Sequence, residues 1–303
     1  MKTIKLNKGN LYLPSTWDEL SPKQLIYAFT LLAQLFKGDI TPEDFQSRML
    51  ISITGYRPVK KNIWYYLRKL WLIAWYGSAW YEDYIKAIQH RNEMVRENLI
   101  RLSREIDFAF KVEDNKIIPN YTFAENPFIF ISKRAPRFSR NYTVETTLTA
   151  RQYIEACDIL SAVKEELPDE IKQHLLIKAV EKLFGISYKK AALLHPAILF
   201  GISYWFTGIV QFFKRHPVYS VLFPAEEHEK EDNPMSIGGV ETLLFLRKEY
   251  GGDIDDMNLI DFFNAQIKSI KDSVSKAKAE GVKIDDIVKN TGLPLSVISK
   301  LLL

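Results

Sequence analysis

The sequence has 303 residues, of which 47% are hydrophobic and 26% charged, with 13 glycines, 13 prolines and one cysteine. This composition excludes collagen-like, low-complexity and generally disordered chains, and a single cysteine excludes an internal disulfide framework, while the length allows one large domain or two ordinary ones. The net charge of +4 is too small to give a global field that holds nucleic acid, so any contact with DNA has to be local.

The first residues lack the continuous apolar stretch of a signal peptide, from which we expect a cytoplasmic protein. The alternation of apolar and polar side chains in residues 4–13, around Gly9, predicts a short β-hairpin. Ser21 and Thr41 are each followed by proline and by apolar residues at spacings of three and four, which is typical of capped helix starts. They predict a helical hairpin that ends at Gly55.

Residues 62–105 are predicted to form long helices that break near Gly77. Four of the six tryptophans lie in this region: Trp64, Trp71, Trp75 and Trp80. Such rings can stack on bases or sugars, but their helical spacing and the lack of a flanking basic groove favour a protein core or a protein interface. The shorter period between residues 106 and 130 predicts a small β-hairpin or meander.

From residue 147 the chain repeats the pattern of its opening. Residues 148–154 match residues 20–26 in the capped start, the glutamine and the apolar positions, and Gly185 stands where Gly55 stands in the first copy. We interpret this match as a duplicated helical hairpin.

Residues 191–213 are the most apolar stretch and are long enough to cross a bilayer. Pro196 shortens the continuous helix, and basic residues flank it on both sides, so the flanking charges define no orientation. We therefore expect a buried central helix and not a membrane span. The acidic run that follows, at residues 225–234, predicts a solvated linker.

Together these elements predict a mainly α fold, with duplicated helical hairpins, a small β-hairpin or meander and a C-terminal helical module. The expected domains are an N-terminal helical domain with β additions at residues 1–146, a second helical hairpin with the central apolar helix at 147–224, the acidic linker at 225–234, and a helical module at 235–303 that ends like a helix-turn-helix.

Residues that carry chemistry are few. The five histidines never lie three or four residues apart, which argues against a metal site. No glycine-rich phosphate loop and no nucleophile elbow occurs, and Cys157 lies among apolar residues in a predicted helix. We expect no enzyme activity and no cofactor or metal ion.

Two segments have residues that can contact a phosphate or an acidic protein. The first is basic, with Lys133 followed by Arg134, Arg137 and Arg140, and a solvated loop is its alternative interpretation. In the second, the apolar spacing from Ile284 to Ile298 matches a helix-turn-helix. Its second helix would present Ser296, Ser299 and Lys300 to a groove, but its low charge favours a helical packing unit over a DNA reader.

Residues 13–25, Leu-Pro-Ser-Thr-Trp-Asp-Glu-Leu-Ser-Pro-Lys-Gln-Leu, resemble the start of helical proteins encoded by tailed phages and prophages. Residues 238–263 resemble the last helical pair of phage tail-assembly chaperones, which bind the tape-measure protein until the tail tube polymerises. The resemblance implies a non-enzymatic tail-assembly protein of the host cytoplasm. The alternatives are a structural component of the virion, located in the particle, and a DNA-binding regulator that uses the C-terminal segment.

The partner implied by the resemblance is another phage structural protein such as the tape measure, with self-association as a further option. Neither nucleic acid nor a membrane is expected as a partner. The candidate partner-binding residues are Trp64, Trp71, Trp75, Trp80, Arg134, Arg137 and Arg140.

Overall fold

The computed structural model describes residues 1–6, 9–55, 63–78, 82–83, 85–86, 97–114, 116–140, 143–164, 166–223, 256–291, 293 and 295–302. In these ranges the chain is mainly helical and contains three two-stranded antiparallel sheets, which confirms the predicted mainly α class. Contacts divide the chain into a first unit, residues 1–120, and a second unit, residues 121–303. The division follows residue 120, whereas the sequence pattern placed the first boundary after residue 146. The predicted acidic linker at 225–234 lies outside the described residues.

In the described ranges the first unit contains two β-hairpins and three helices with defined bounds, and residues 97–103 are helical as well. In chain order these are β1 (Lys2–Leu6), β2 (Gly9–Leu13), α1 (Pro22–Lys37), α2 (Pro42–Thr54), α3 (Ile63–Tyr76), β3 (Phe110–Glu113) and β4 (Lys116–Pro119). Strands β1 and β2 pair with Ile4 opposite Leu11, as the alternation predicted. Strands β3 and β4 form a second hairpin, in the region where the shorter period predicted one.

Helices α1 and α2 begin at the predicted caps. The Ser21 hydroxyl accepts a hydrogen bond from the Gln24 backbone N–H, and the Gln24 side chain accepts one from the Ser21 N–H. Thr41 and Asp44 repeat this reciprocal capping box at α2. Both bonds satisfy N–H groups that have no partner within the helix, so the sequence fixes these starts locally.

Trp17 lies at the centre of the first unit's core and has no exposed surface. Its ring stacks on Phe29, with centroids 4.6 Å apart, and meets Phe108 edge-on at 5.0 Å. Its indole N–H donates to the carbonyl of Asn120 at 3.0 Å, so the polar end of this buried ring is satisfied.

The second unit consists of a short sheet and seven helices in its described ranges. These are β5 (Phe138–Ser139), β6 (Glu145–Thr146), α4 (Ala150–Ser161), α5 (Asp169–Phe184), α6 (Tyr188–Ala192), α7 (Pro196–Arg215), α8 (Leu259–Ala279), α9 (Ile284–Thr291) and α10 (Leu295–Leu301). Helix α4 begins with a capping box of Thr149 and Gln152, the same device that starts α1. Helix α5 ends at Gly185, as α2 ends at Gly55.

Helix α7 supplies much of the second unit's core. Of the described helices, it is the one long and apolar enough to cross a membrane by length and composition, and 61% of its most apolar window is buried inside the fold. Its Phe213 packs edge-on against Tyr153 and against Phe263. At Gly208 the segment that carries Tyr121 passes so close that an added Cβ would lie 2.8 Å from the Tyr121 carbonyl oxygen.

The start of helix α8 is joined to the start of α4. Thr149 and Asn258 form an antiparallel bridge, flanked by a 2.9 Å hydrogen bond from the Leu259 N–H to the Leu148 carbonyl. The Asn258 side chain donates to the Thr146 carbonyl and also caps α8 by accepting from the Ile260 N–H. The first half of α8 therefore belongs to the core of the second unit.

The C-terminal helices have a small core of their own, built from Val274, Ile287, Leu293 and Ile298. Helices α9 and α10 are consecutive in the chain and are separated by a short connection, which is the order that a helix-turn-helix has. Ile284 is the first position of the predicted helix-turn-helix spacing, and it is 42% exposed. The residue of α9 that is buried in this core is Ile287.

Candidate partner-binding surfaces

Helix α3 presents large apolar side chains to solvent. Trp71 is 54% exposed and Trp75 is 71% exposed, and their ring centroids lie 5.8 Å apart. Leu67 and Leu70 are exposed on the same helix at spacings of three and four residues, so we call these four residues the α3 face. Trp71 and Trp75 are therefore not buried in the core of the first unit, and their role in binding a partner stays a prediction.

The other two tryptophans of the predicted set have no described side chain. Trp64 lies within α3, in the part of the helix whose side chains are outside the description, and Trp80 lies outside the described residues. The α3 face is thus defined by its second half, which ends at Gly77 with φ at 84°. A positive φ of this kind favours glycine, and a glycine in this left-handed conformation commonly ends a helix.

The basic side chains of residues 133–140 in the second unit differ in how exposed they are. Lys133, Arg134 and Arg137 are exposed, and none of them forms an ion pair with another described residue. Arg140 is half-buried, and its guanidinium carbon lies 5.9 Å from the centre of the Phe212 ring. Arg140 therefore helps to cover the core, and the other three side chains are the ones available to a partner.

Lys133 and Arg137 are among the residues that line an open depression of about 770 Å³ on the second unit. Glu125 and Glu145 line it as well, together with the exposed side chain of Ile129. The sequence pattern did not single out Ile129 or its neighbour Phe130. Phe128 is buried, while Ile129 and Phe130 are 60% and 48% exposed. The apolar run of residues 128–131 does not show in sequence which of its side chains are buried.

The backbone around this depression is held by short-range hydrogen bonds. The buried Asn126 side chain donates to the Pro136 carbonyl at 2.6 Å and accepts from the Phe128 N–H at 2.8 Å. The Arg137 N–H donates to the Thr147 hydroxyl, and the Arg137 carbonyl accepts from the Thr146 hydroxyl, both at 2.8 Å. The loop from 126 to 137 is consequently fixed near both ends, so its exposed side chains project from an ordered backbone.

The reactive side chains among the described residues lie apart from one another. Within them, no group of three or more His, Cys, Asp or Glu side chains is placed to hold a metal ion. Burial raises the pKa of the Cys157 thiol to about 12, so the thiol is protonated and unreactive at neutral pH. His174 and Tyr188 form a 2.8 Å hydrogen bond on the exposed surface, without an acidic third partner among the described contacts.

The candidate DNA-binding residues are only partly described. Ser299 is exposed on helix α10, while the side chains of Ser296 and Lys300 are outside the description. Asp285 and Asp286 are exposed at the start of the neighbouring helix α9, where they would repel phosphate groups.

Comparison with protein-family models, with curated proteins and with solved structures finds no match to this chain.

Proposed function

We propose that this chain is a non-enzymatic assembly protein of a tailed phage, which binds the tape-measure protein through the α3 face until the tail tube forms. The observation that supports the proposal is the exposure of Trp71 and Trp75 side by side on one helix. The phage setting comes from two resemblances: residues 13–25 resemble the start of helical proteins of tailed phages and prophages, and residues 238–263 resemble the last helical pair of tail-assembly chaperones.

Exposed rings of this kind are typical of binding surfaces. Tryptophan is enriched at the points of an interface that contribute most to affinity, and burying one such side chain stabilises a complex by about 2 kcal/mol or more. Leu67 and Leu70 extend the α3 face by one turn, which gives the spacing of anchors used when one helix packs along another. A tape-measure protein that offers an apolar helical stripe would cover all four side chains.

The test is co-expression of the chain with the tape-measure protein of the phage or prophage that carries its gene. The wild-type chain is expected to co-purify with that protein and to keep it soluble. The double variant Trp71→Ser/Trp75→Ser is expected to lose co-purification by about tenfold or more, because both anchors are removed. Since both side chains are exposed, the free variant should unfold at the same temperature as the wild type.

A matched control is Tyr12→Ser, which also removes an exposed aromatic side chain of the first unit, 54% exposed on strand β2. This variant should co-purify as well as the wild type. Equal co-purification of the double variant would contradict the role of the α3 face. Mass spectrometry of purified particles separates a chaperone, which is absent from them, from a structural component of the virion, which remains.

A further inference from the structure

A second interaction surface lies in the other unit, on the loop between residues 126 and 137. It combines exposed apolar side chains, Ile129 and Phe130, with the exposed cations Lys133, Arg134 and Arg137. We call these five residues the basic loop surface. None of them belongs to the α3 face, so this surface does not depend on the tape measure being the partner.

The basic loop surface is built on an ordered support. Asn126 fixes the loop through Phe128 and Pro136, and the two threonine hydroxyls hold the backbone of Arg137. The Arg134 N–H donates to the Ser132 hydroxyl at 3.0 Å. The stem of Arg134 lies beside Gly185, where an added Cβ would stand 3.6 Å from the Arg134 Cδ atom. An ordered loop loses little conformational freedom when it binds, which favours affinity.

The charges of this surface define the ligand. Three cations without a described ion pair attract carboxylates or phosphates. Glu125 and Glu145 stand in the wall of the same depression, and the Glu145 carboxylate accepts a hydrogen bond from the Thr143 hydroxyl at 3.1 Å. A nucleic acid brings a continuous row of phosphates against these carboxylates, whereas a peptide can place its acidic residues opposite the cations alone.

The exposed apolar side chains of the basic loop surface also favour a protein as the partner. Ile129 and Phe130 are branched or aromatic side chains with much of their surface in water, and Ile129 lines the same depression as Lys133 and Arg137. Apolar anchors ringed by charged groups are the pattern of protein interfaces, in which the anchors supply affinity and the charges supply specificity.

We propose that the basic loop surface docks an acidic segment of another protein, whose carboxylates pair with Lys133, Arg134 and Arg137 while its apolar side chains pack on Ile129 and Phe130. The depression of about 770 Å³ receives the part of the segment that lies between these contacts.

The experiment uses the full chain and a fluorescein-labelled synthetic peptide of Glu, Leu and Ala, with Leu at helical spacing. Binding is followed by fluorescence anisotropy at low and at high salt. The peptide is expected to bind at low salt and to weaken as salt rises, because exposed charges are screened. A peptide with Gln in place of every Glu is expected to bind about tenfold more weakly or worse.

Two variants identify the site. Lys133→Glu/Arg137→Glu is expected to weaken binding of the acidic peptide by about tenfold or more, and Phe130→Ser by about fivefold. Lys111→Glu, which reverses an exposed charge on strand β3 of the other unit, should leave binding unchanged. Each variant is compared with the wild type by far-UV circular dichroism, and Lys133→Gln/Arg137→Gln replaces the charge reversal if that one misfolds.

Three results would overturn the proposal: no binding of the acidic peptide at low salt, equal binding by the Gln peptide, or binding that the loop variants leave intact. A labelled DNA duplex and vesicles with anionic lipid are measured in parallel. Tighter binding of either one, lost in the same variants, would assign the surface to phosphate groups instead. Loss of tape-measure binding in the α3 variants has no effect on any of these outcomes.

Discussion

Replacing Gly208 on helix α7 with a larger residue is expected to destabilise the second unit. A Cβ at this position would lie 2.8 Å from the Tyr121 carbonyl oxygen, 3.1 Å from the Tyr121 Cβ and 3.3 Å from a ring carbon of Phe123. The nearest atom belongs to the backbone, so no side-chain rotation relieves the contact, and the segment of Tyr121 has to move.

Two effects of opposite sign decide the magnitude. Overpacking a well-packed site costs about 1–3 kcal/mol, while replacing glycine within a helix by alanine stabilises the helix by about 1 kcal/mol. For Gly208→Ala we expect a net loss of about 1 kcal/mol. For Gly208→Val the loss is larger, because valine adds two more carbon atoms at the same contact and gains less helix propensity.

The assay is thermal unfolding followed by circular dichroism, with hydrogen exchange of α7 peptides to assign the change to this helix. A loss of 1 kcal/mol lowers the Tm of a unit of this size by about 2–4 °C. The control is Ser203→Ala, which raises the helix propensity of α7 at a half-buried position and should change Tm little. If alanine and valine at position 208 both raised Tm, helix propensity would outweigh the contact, and the close approach of Tyr121 would be refuted.

Three further predictions concern caps and ionisation in the second unit. Thr149→Ala removes the capping box of α4 and should lower the free energy of unfolding, measured with denaturant, by about 1 kcal/mol. Thr149→Ser keeps a hydroxyl at the cap and should keep the stability. Equal losses in the two variants would contradict the cap. Asn258→Ala removes both the cap of α8 and the hydrogen bond to the Thr146 carbonyl, and should lower the free energy of unfolding by about 2 kcal/mol. Asn258→Asp keeps only the cap and should lower it less in the same assay. Burial raises the pKa of Cys157 from 9.0 to about 12, so the stability it contributes is present below pH 9 and is lost as pH rises toward 12. Relative to Cys157→Ala, the wild type should lose about 1 kcal/mol of unfolding free energy by pH 10, and a pH-independent difference would contradict the raised pKa.

Local signals in the sequence predicted the starts of several helices. The pairs Ser21 with Gln24 and Thr149 with Gln152 lie three residues apart, so the bonds of each capping box involve only residues that are close in sequence. The hairpin around Gly9 is equally local. These elements depend on residues that are close together in sequence, so their pattern can be recognised from one sequence.

Distant contacts were not predictable in the same way. The bond between Trp17 and Asn120 spans 103 residues, and the bond between Asn258 and Thr146 spans 112. No local pattern marks the members of such pairs, and the boundary after residue 120 depends on contacts of this kind.

The candidate surfaces show a related limit. A helical period identifies which residues share a face of α3, but it does not say whether another part of the chain covers that face. The helical spacing of Trp71 and Trp75 therefore favoured a core or an interface without distinguishing them, and the structure shows that both side chains are exposed. Ile129 and Phe130 were not singled out at all, because nothing in the sequence distinguishes these exposed residues from the buried Phe128 beside them.

The central claim is that the α3 face is covered by a second polypeptide during assembly, and site-specific crosslinking in infected or induced cells tests it most directly. A photoreactive amino acid replaces Trp75 in one chain and Tyr12 in a second, both exposed positions of the first unit. The account predicts a crosslink from position 75 to the tape-measure protein before the tube polymerises, and none from position 12. A position 75 that crosslinks to no protein, or to the same partners as position 12, would contradict it.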